Sequence, residues 1–318
     1  MAARPASGPV LGIDLGGTKA ALRAEGEGGA SEESVLRWRT PADPAADWAA
    51  LTADVRALQS RWGDFAAVGV AMPALLDRDG TVSAWPGRPS WSEFRFGDGL
   101  RRLFPGTPVR WADDGDLAAL AESVHAGRDD VVYLGVGTGV GGGIVRAGRL
   151  FPGPERGSCE VGHIVIDRAG ARCDCGRRGC LQAAASGPAT LRRAAELRGS
   201  ATDFAGLRDA LADGAPWAVR AVDETCAAVA AAVVSLAELA HPETTVIGGG
   251  VAAGLAGFTA RVEAHTRQLA RPGTAVPAVA PAALGALSSL HGALALAREA
   301  RTASGRTDTP NHVEGTTR

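Results

Sequence analysis

The sequence predicts an α/β fold of two related lobes, and three observations carry that expectation. Short apolar runs of strand length alternate with Ala-rich stretches of helical period. Two of the runs resemble each other. Val10-Leu-Gly-Ile-Asp-Leu-Gly-Gly-Thr-Lys and Tyr133-Leu-Gly-Val-Gly-Thr-Gly-Val-Gly-Gly each give a strand, a Gly-Thr turn and a returning strand. The chain is 318 residues long, about twice a typical domain, which leaves room for one such hairpin in each half. A duplicated hairpin of this kind implies two lobes facing one another across a cleft, the natural seat of a nucleotide, and not a solenoid of short repeats.

Val10 to Ile13 and Ala20 to Arg23 read as strands flanking the first glycine turn, and Val68 to Met72 as a short buried strand. Asp116 to His125 reads as a helix. Val131 to Gly135 and Gly142 to Val145 are strands around the second glycine turn, and Thr244 to Ile247 is a late one. The apolar stretch Cys226 to Ala240 falls short of the roughly 20 residues that span a bilayer, so it reads as a buried core helix. Met1 to Pro9 and Arg301 to Arg318 are polar and rich in small residues, and are expected to be disordered.

Composition narrows the function. Hydrophobic residues make up 46% and charged residues 21%, with a formal net charge of −2. The densest basic run, Arg172 to Arg178, is broken by cysteines, which argues against nucleic acid as a partner. Gly12, Asp14, Gly16 and Gly17 interrupt the N-terminal apolar segment, so neither a signal segment nor a membrane partner is expected and the protein is expected in the cytoplasm. In that compartment the five cysteines imply thiols or a metal site, not disulfides.

Turns such as Leu15-Gly-Gly-Thr and Gly137-Thr-Gly-Val-Gly-Gly-Gly free the backbone from Cβ, so that successive N–H groups converge on a phosphate and threonine hydroxyls add donors. Neither is a Walker A loop or a Rossmann fingerprint. Singly, each is most simply a tight turn; together, and with Gly248-Gly-Gly after the run Thr244 to Ile247, they point to a nucleotide. Phosphoryl transfer also needs a carboxylate to orient and deprotonate the attacking hydroxyl. Ala112-Asp-Asp-Gly-Asp-Leu-Ala-Ala-Leu-Ala-Glu offers three clustered aspartates at a helix start. Helix capping explains one of them well and three poorly. His163 followed by Cys173, Cys175 and Cys180 gives one imidazole and three thiols, a closed zinc set in which Gly176 and Gly179 let the knuckle turn; buried free cysteines are the alternative.

These motifs resemble the ROK kinases, within the sugar-kinase, actin and Hsp70 ATPase superfamily. Leu11-Gly-Ile-Asp-Leu-Gly-Gly-Thr-Lys is similar to the family's first phosphate motif, Leu134-Gly-Val-Gly-Thr-Gly-Val-Gly-Gly-Gly-Ile to the second, and Val246-Ile-Gly-Gly-Gly-Val to the adenosine motif. The resemblance runs from about Val10 to Ala297 and implies a two-lobed, actin-like (ribonuclease H-like) ATPase fold. The small lobe would span residues 10–110 with a C-terminal helix near Ser288 to Ala297 returning to it. The large lobe would span 111–287 and carry the zinc motif. It further implies ATP and Mg²⁺, with Asp14 holding the metal through water and Thr18 and Thr138 touching phosphates. Gly16, Gly17, Lys19, Gly137 and Gly139 would complete the phosphate site, and Gly249 and Gly250 would flank the nucleoside.

By the same resemblance Asp114 is the catalytic base. Asp113, Glu160, His163 and Gln182 contact the sugar, and His163, Cys173, Cys175 and Cys180 hold a structural Zn²⁺. The chain departs from the family at several points. Asp113 replaces an Asn, Gln182 replaces a Glu, Met72-Pro-Ala lacks the usual Gly, and Trp85-Pro-Gly-Arg-Pro-Ser-Trp stands where Pro-Asn-Leu is common.

The resulting expectation is ATP-dependent phosphorylation of the primary 6-hydroxyl of a hexose or aminohexose. A kanosamine-type amino sugar is the leading acceptor, because an ionised Asp113 accepts from a substrate ammonium. A glucokinase of primary metabolism and a C7-cyclitol kinase are the alternatives. A sugar-sensing regulator without turnover is the alternative of another class. The family's repressors place a DNA-binding domain before the first phosphate motif, which here begins at Val10. A homodimer or larger homo-oligomer is the expected assembly.

Overall fold

The computed structural model describes residues 7–304 except 78, 154, 155, 274 and 275. The chain forms two compact units. One comprises residues up to Ala112 together with those from Ala293 on; the other is Asp113–Gly292.

The first unit opens with β1 (Val10–Leu15), β2 (Lys19–Glu25) and β3 (Ser31–Arg37), followed by α1 (Pro44–Trp62) and β4 (Ala67–Ala71). A small antiparallel pair, β5 (Leu75–Leu76) and β6 (Val82–Ala84), precedes α2 (Phe96–Leu103) and β7 (Val109–Ala112). The sheet order is β3-β2-β1-β4-β7, antiparallel across β3-β2-β1 and parallel across β1-β4-β7. Leu11, Ile13 and Leu15 of β1 bury one face with Val68 and Val70 of β4, against Leu51, Val55 and Leu58 of α1. Asp43 caps α1 by accepting from Ala45 and Ala46 N–H, and Pro44 pre-sets the first helical φ.

The second unit repeats that sheet. It runs through α3 (Asp114–Ala126), β8 (Val131–Val136), β9 (Val140–Arg146), β10 (Arg149–Phe151), α4 (Leu181–Ala185), α5 (Gly187–Arg198), α6 (Phe204–Ala212) and α7 (Pro216–Ala240). Then come β11 (Thr244–Gly248), α8 (Gly250–Gly254), α9 (Phe258–Leu269) and β12 (Ala278–Pro281), and α10 (Ser288–Ser304) follows. The order β10-β9-β8-β11-β12 has the same alternation of antiparallel and parallel neighbours as the first sheet. The duplicated hairpin in the sequence is therefore the visible part of a duplicated five-stranded sheet. The apolar stretch Cys226 to Ala240 lies on α7, with Cys226, Val229, Val233 and Leu236 buried in the core. No helix among the described residues is long and apolar enough to cross a membrane.

The ends differ from expectation. Helix α10 runs to Ser304, beyond Ala297, because Leu294, Ala297 and Ala300 form a buried cluster with Val10 and Ala67. Arg301 donates to Gly8 O at 3.0 Å and Ala66 N–H to Pro9 O at 2.8 Å, so Gly8, Pro9 and Arg301 belong to the fold, not to a disordered end. Residues 1–6 and 305–318 of the two terminal segments lie outside the described residues.

Glycines let α10 pass close to its neighbours. A Cβ on Gly69 of β4 would overlap Ala293 O, and one on Gly292 would overlap Leu117 O of α3. The start of α10 is fixed by the buried Glu122 of α3, whose carboxylate accepts from Ala283 N–H (2.9 Å), Leu284 N–H (3.0 Å) and Ser288 Oγ–H (2.8 Å). Gly69→Ala should therefore destabilise the protein by about 1–3 kcal/mol or more through overpacking. Urea denaturation checks this, and an unchanged midpoint would show that α10 can be displaced without cost.

Candidate active site

In the first unit, the turn after β1 closes through Gly16 N–H to Lys19 O at 2.9 Å. Asp14, at the end of β1, is half-buried, and Thr18 and Lys19 are exposed. Each carbonyl of the turn is held. Gly16 O accepts from Trp38 Nε1 (2.7 Å), Gly17 O from Arg88 Nη1 (3.0 Å) and Thr18 O from Trp38 N–H (3.0 Å).

In the second unit, the matching turn after β8 closes through Gly137 N–H to Gly139 O, and Gly137 O accepts from Gly187 N–H at the start of α5. Thr138 is exposed at its tip. Gly249 follows β11 with φ 88°, and a Cβ there would collide with Val136 of β8. The second glycine turn and the Gly248-Gly249-Gly250 segment thus follow neighbouring strands of one sheet, with Gly249 against Val136, where no side chain fits; a Cβ on Gly250 would meet nothing within 4 Å.

Helix α3 carries the acids. Asp113 is its cap, with Oδ1 accepting from Gly115 N–H at 2.9 Å, so capping does account for this one aspartate. A carboxylate offers about four lone-pair sites, so capping does not exhaust it. Asp114 begins the helix half-buried. Asp116 is only 3% exposed, and its Oδ1 has no hydrogen-bond partner among the described residues. Burial first, then the carboxylates of Asp116 and Glu160, push Asp113 up to about 7. Burial first, then Glu160 and Asp114, push Asp116 up to about 7, against the Cys159 N–H that favours its ionised form. Asp116 was not among the expected site residues, although it stands in the same acidic run.

Glu160 is exposed and accepts from Ser158 Oγ–H at 3.0 Å; its carbonyl receives His163 N–H in a single tight turn. That turn is pressed onto β9, since a Cβ on Gly162 would overlap Val140 O. Gln182 of α4 turns its Oε1 toward Val140 N–H (3.2 Å), beside Gly139. Its carbonyl is thus engaged by the second glycine turn, and any sugar contact would fall to its amide nitrogen.

His163, Cys173, Cys175 and Cys180 place one ligand atom each within 4.8 Å of one another. His163 Nδ1 lies 3.7 Å from Cys173 Sγ, and Cys175 Sγ lies 3.6 Å from Cys180 Sγ. Nδ1 therefore faces the thiols, with Nε2 on the opposite edge of the ring. The backbone amide of Arg177 pulls the Cys175 thiol down to about 6, while burial pushes Cys180 up to about 11. Three soft sulfurs and an imidazole in one closed cluster fit a tetrahedral metal ion, whose binding would displace the remaining thiol protons. Cys159 gives its thiol to Phe151 O at 3.1 Å and Cys226 is buried in the core; neither joins the cluster. Two surface grooves of about 350 and 330 Å³ flank β12, and neither is lined by the site residues described above.

A five-stranded mixed sheet present twice, each with a glycine turn after its first parallel strand, defines the actin-like ATPase fold. The ROK family pattern matches residues 10–300, and the chain belongs to the ROK family. It is similar to the kanosamine kinase of Amycolatopsis mediterranei, 49% identical over 90% of this chain and 95% of that one. It is also similar to the glucokinase of Thermotoga maritima, 32% identical over 76% and 82% of the respective chains. Among solved structures, a ROK hexokinase from Thermus thermophilus matches with a TM-score of 0.81 at 31% identity, covering 91% of this chain and 97% of that one. A ROK glucokinase from Streptomyces griseus in complex with glucose and AMPPNP matches with a TM-score of 0.75 at 28% identity, over 92% and 100%. The chain is a sugar kinase.

The buried acids set a test. A carboxylate raised on folding keeps its proton between about pH 4 and pH 7, where the unfolded chain has lost it. The native state then binds more protons, and stability falls as pH rises through that window. Asp116→Asn removes the effect and should gain on the order of 1–3 kcal/mol relative to wild type on going from pH 5 to pH 8. Chemical denaturation at the two pH values measures it, and an equal difference at both would contradict the buried proton.

Proposed function

We propose that the chain transfers the γ-phosphoryl group of ATP to the primary 6-hydroxyl of an aminohexose of the 3-amino-3-deoxyglucose (kanosamine) type. The observation that carries this reading is the gathering of Asp113, Asp114, Asp116 and Glu160 around one helix start, with burial and mutual repulsion raising two of them. A substrate ammonium relieves that repulsion, and a neutral hydroxyl does not. The 49% identity to a kanosamine kinase supports the same acceptor.

In this reading Asp114 accepts the proton of the attacking hydroxyl as its oxygen bonds to the γ-phosphorus and the bond from that phosphorus to the β,γ-bridging oxygen breaks, with ADP leaving. Asp113 takes the ammonium, and Glu160 with His163 Nε2 holds neighbouring ring hydroxyls. The amide edge of each glycine turn would offer donors to phosphate oxygens, and Asp14 would be the carboxylate for a Mg²⁺ ion, which when bound would supply neutralisation of phosphate charge. His163 Nδ1 with Cys173, Cys175 and Cys180 would supply four ligands to Zn²⁺, whose part would be structural, to fix the imidazole ring. Glucose is the second reading, favoured by the neutral Gln182 and by the glucokinase relatives.

Asp114→Asn should lower kcat by about 10²–10⁴-fold with sugar affinity nearly intact, since a general base acts in the transition state. A charge-assisted bond of roughly 1.5–3 kcal/mol is about one to two decades in affinity. kcat/KM for kanosamine should therefore exceed that for glucose by that factor in the wild type, and Asp113→Asn should erase the preference. Coupled ADP release decides it: if glucose is preferred, or Asp113→Asn leaves the ratio unchanged, the amino-sugar reading fails. One zinc per chain should co-purify, and Cys175→Ser should lose both metal and sugar affinity. Metal analysis well below one equivalent would remove the zinc.

A further inference from the structure

The first glycine turn rests on a buried charged pair. Arg88 is 4% exposed and Asp47, in the first turn of α1, 2%. The Arg88 guanidinium pairs through Nη2 with Asp47 Oδ2, which also accepts from Trp91 Nε1 at 3.2 Å. Arg88 Nη1 reaches forward to Gly17 O, and its Cζ lies 5.4 Å from the centre of the Trp38 ring. Trp38 itself holds the carbonyls on either side, Gly16 O through Nε1 and Thr18 O through its backbone N–H. Gly87, next to Arg88, seats against Gly17: a Cβ on Gly87 would lie 3.4 Å from Gly17 Cα.

Three consecutive carbonyls of the turn are thus drawn to one side. The cis peptide bonds among the described residues are Thr40-Pro41 and Phe151-Pro152, so the turn's own peptides are trans. In a trans peptide the N–H points opposite to the C=O. The N–H groups of Gly17 and Thr18 are therefore directed away from Arg88 and Trp38. Stability alone does not explain the arrangement. A buried ion pair is commonly no more stable than apolar residues of similar volume, and here Arg88 Nε is buried with no partner among the described residues. What the pair supplies is direction: a dipole whose positive end touches the turn's carbonyls.

We propose that Arg88 and Asp47, with Trp38, are positioning residues for nucleotide binding, which fix the peptide planes of Gly16–Thr18 so that the amide edge meets the phosphates. The inference rests on the kinase reading and adds residues that the phosphate motif does not contain. Because breaking one partner of a buried pair can unfold the protein, the test uses the double substitution Arg88→Met with Asp47→Leu, together with Trp38→Phe. Titration calorimetry of Mg²⁺-ATP onto the zinc-loaded enzyme, and of the sugar in the absence of nucleotide, gives the two affinities. The double variant should bind ATP about 10–100-fold more weakly, as expected for lost orientation and lost carbonyl bonds, with sugar affinity within about twofold of wild type. Should the double variant not fold, Trp38→Phe decides, because it deletes only the Nε1 bond to Gly16 O and the indole's extra bulk. It should raise KM for ATP severalfold and leave KM for the sugar unchanged. Wild-type ATP affinity in the folded double variant, or an unchanged ATP KM in Trp38→Phe if the double variant does not fold, overturns the inference. A wild-type protein that binds no ATP would overturn the kinase reading, and this inference with it.

Discussion

A helix can begin against the middle of a sheet only where nothing projects between the two backbones. Helix α3 does so on β9. A Cβ on Gly115 would lie 2.6 Å from Gly142 N, and one on Gly143 would lie 2.5 Å from Asp116 Cα. Gly142 and Gly143 close the second glycine motif and were also expected to open a strand. In the structure they are residues of β9, and their role there is close approach. A side chain at Gly143 would push α3 outward, and with it the acids at its start, while one at Gly142 would strike Tyr133 O of β8. The turn that carries Glu160 and His163 is pressed onto the same strand through Gly162.

The electrostatics of the site follow from that approach. Three aspartates enter on one helix start and the exposed Glu160 comes from the turn that packs beside it, while burial of Asp113 and Asp116 removes the water that would otherwise screen those two. Asp113 and Asp116 respond by holding protons near neutral pH. A cluster of acids of this kind suits a ligand that brings its own positive charge, because binding then replaces a proton with a better-placed cation. His163 joins this region to the Cys₃His cluster, and Gln182 braces the second glycine turn at Val140.

Much of this was legible in the sequence, and the gaps have physical causes. Both hairpins were visible because a glycine turn between apolar runs is a local signal, and α7 because its apolar face is long. Strand β3 was not, since its side chains alternate between exposed and half-buried and leave no apolar run. Helix α10 outran its expected end because Ala297 and Ala300 are buried by distant Val10 and Ala67, which no local pattern records. The site divides in the same way. Asp113, Asp114, Glu160, His163 and the cysteines sit in short motifs with fixed spacing. The Arg88–Asp47 pair joins positions 41 residues apart, and only the unusual Trp85-Pro-Gly-Arg-Pro-Ser-Trp segment hinted at half of it. Asp116 was in plain view within the acidic run, but its burial came only with the packing of α3 on β9.

The proton that Asp113 holds near neutral pH is the quantity that tests the site most directly. Titration calorimetry of kanosamine at pH 6.5, repeated in buffers of different ionisation enthalpy, reports the protons exchanged on binding. Net release approaching one proton is predicted for kanosamine, much less for glucose, and none for kanosamine with Asp113→Asn. Equal proton exchange for the two sugars, or release that survives in Asp113→Asn, would contradict an acid pair that gives up its proton to a substrate ammonium.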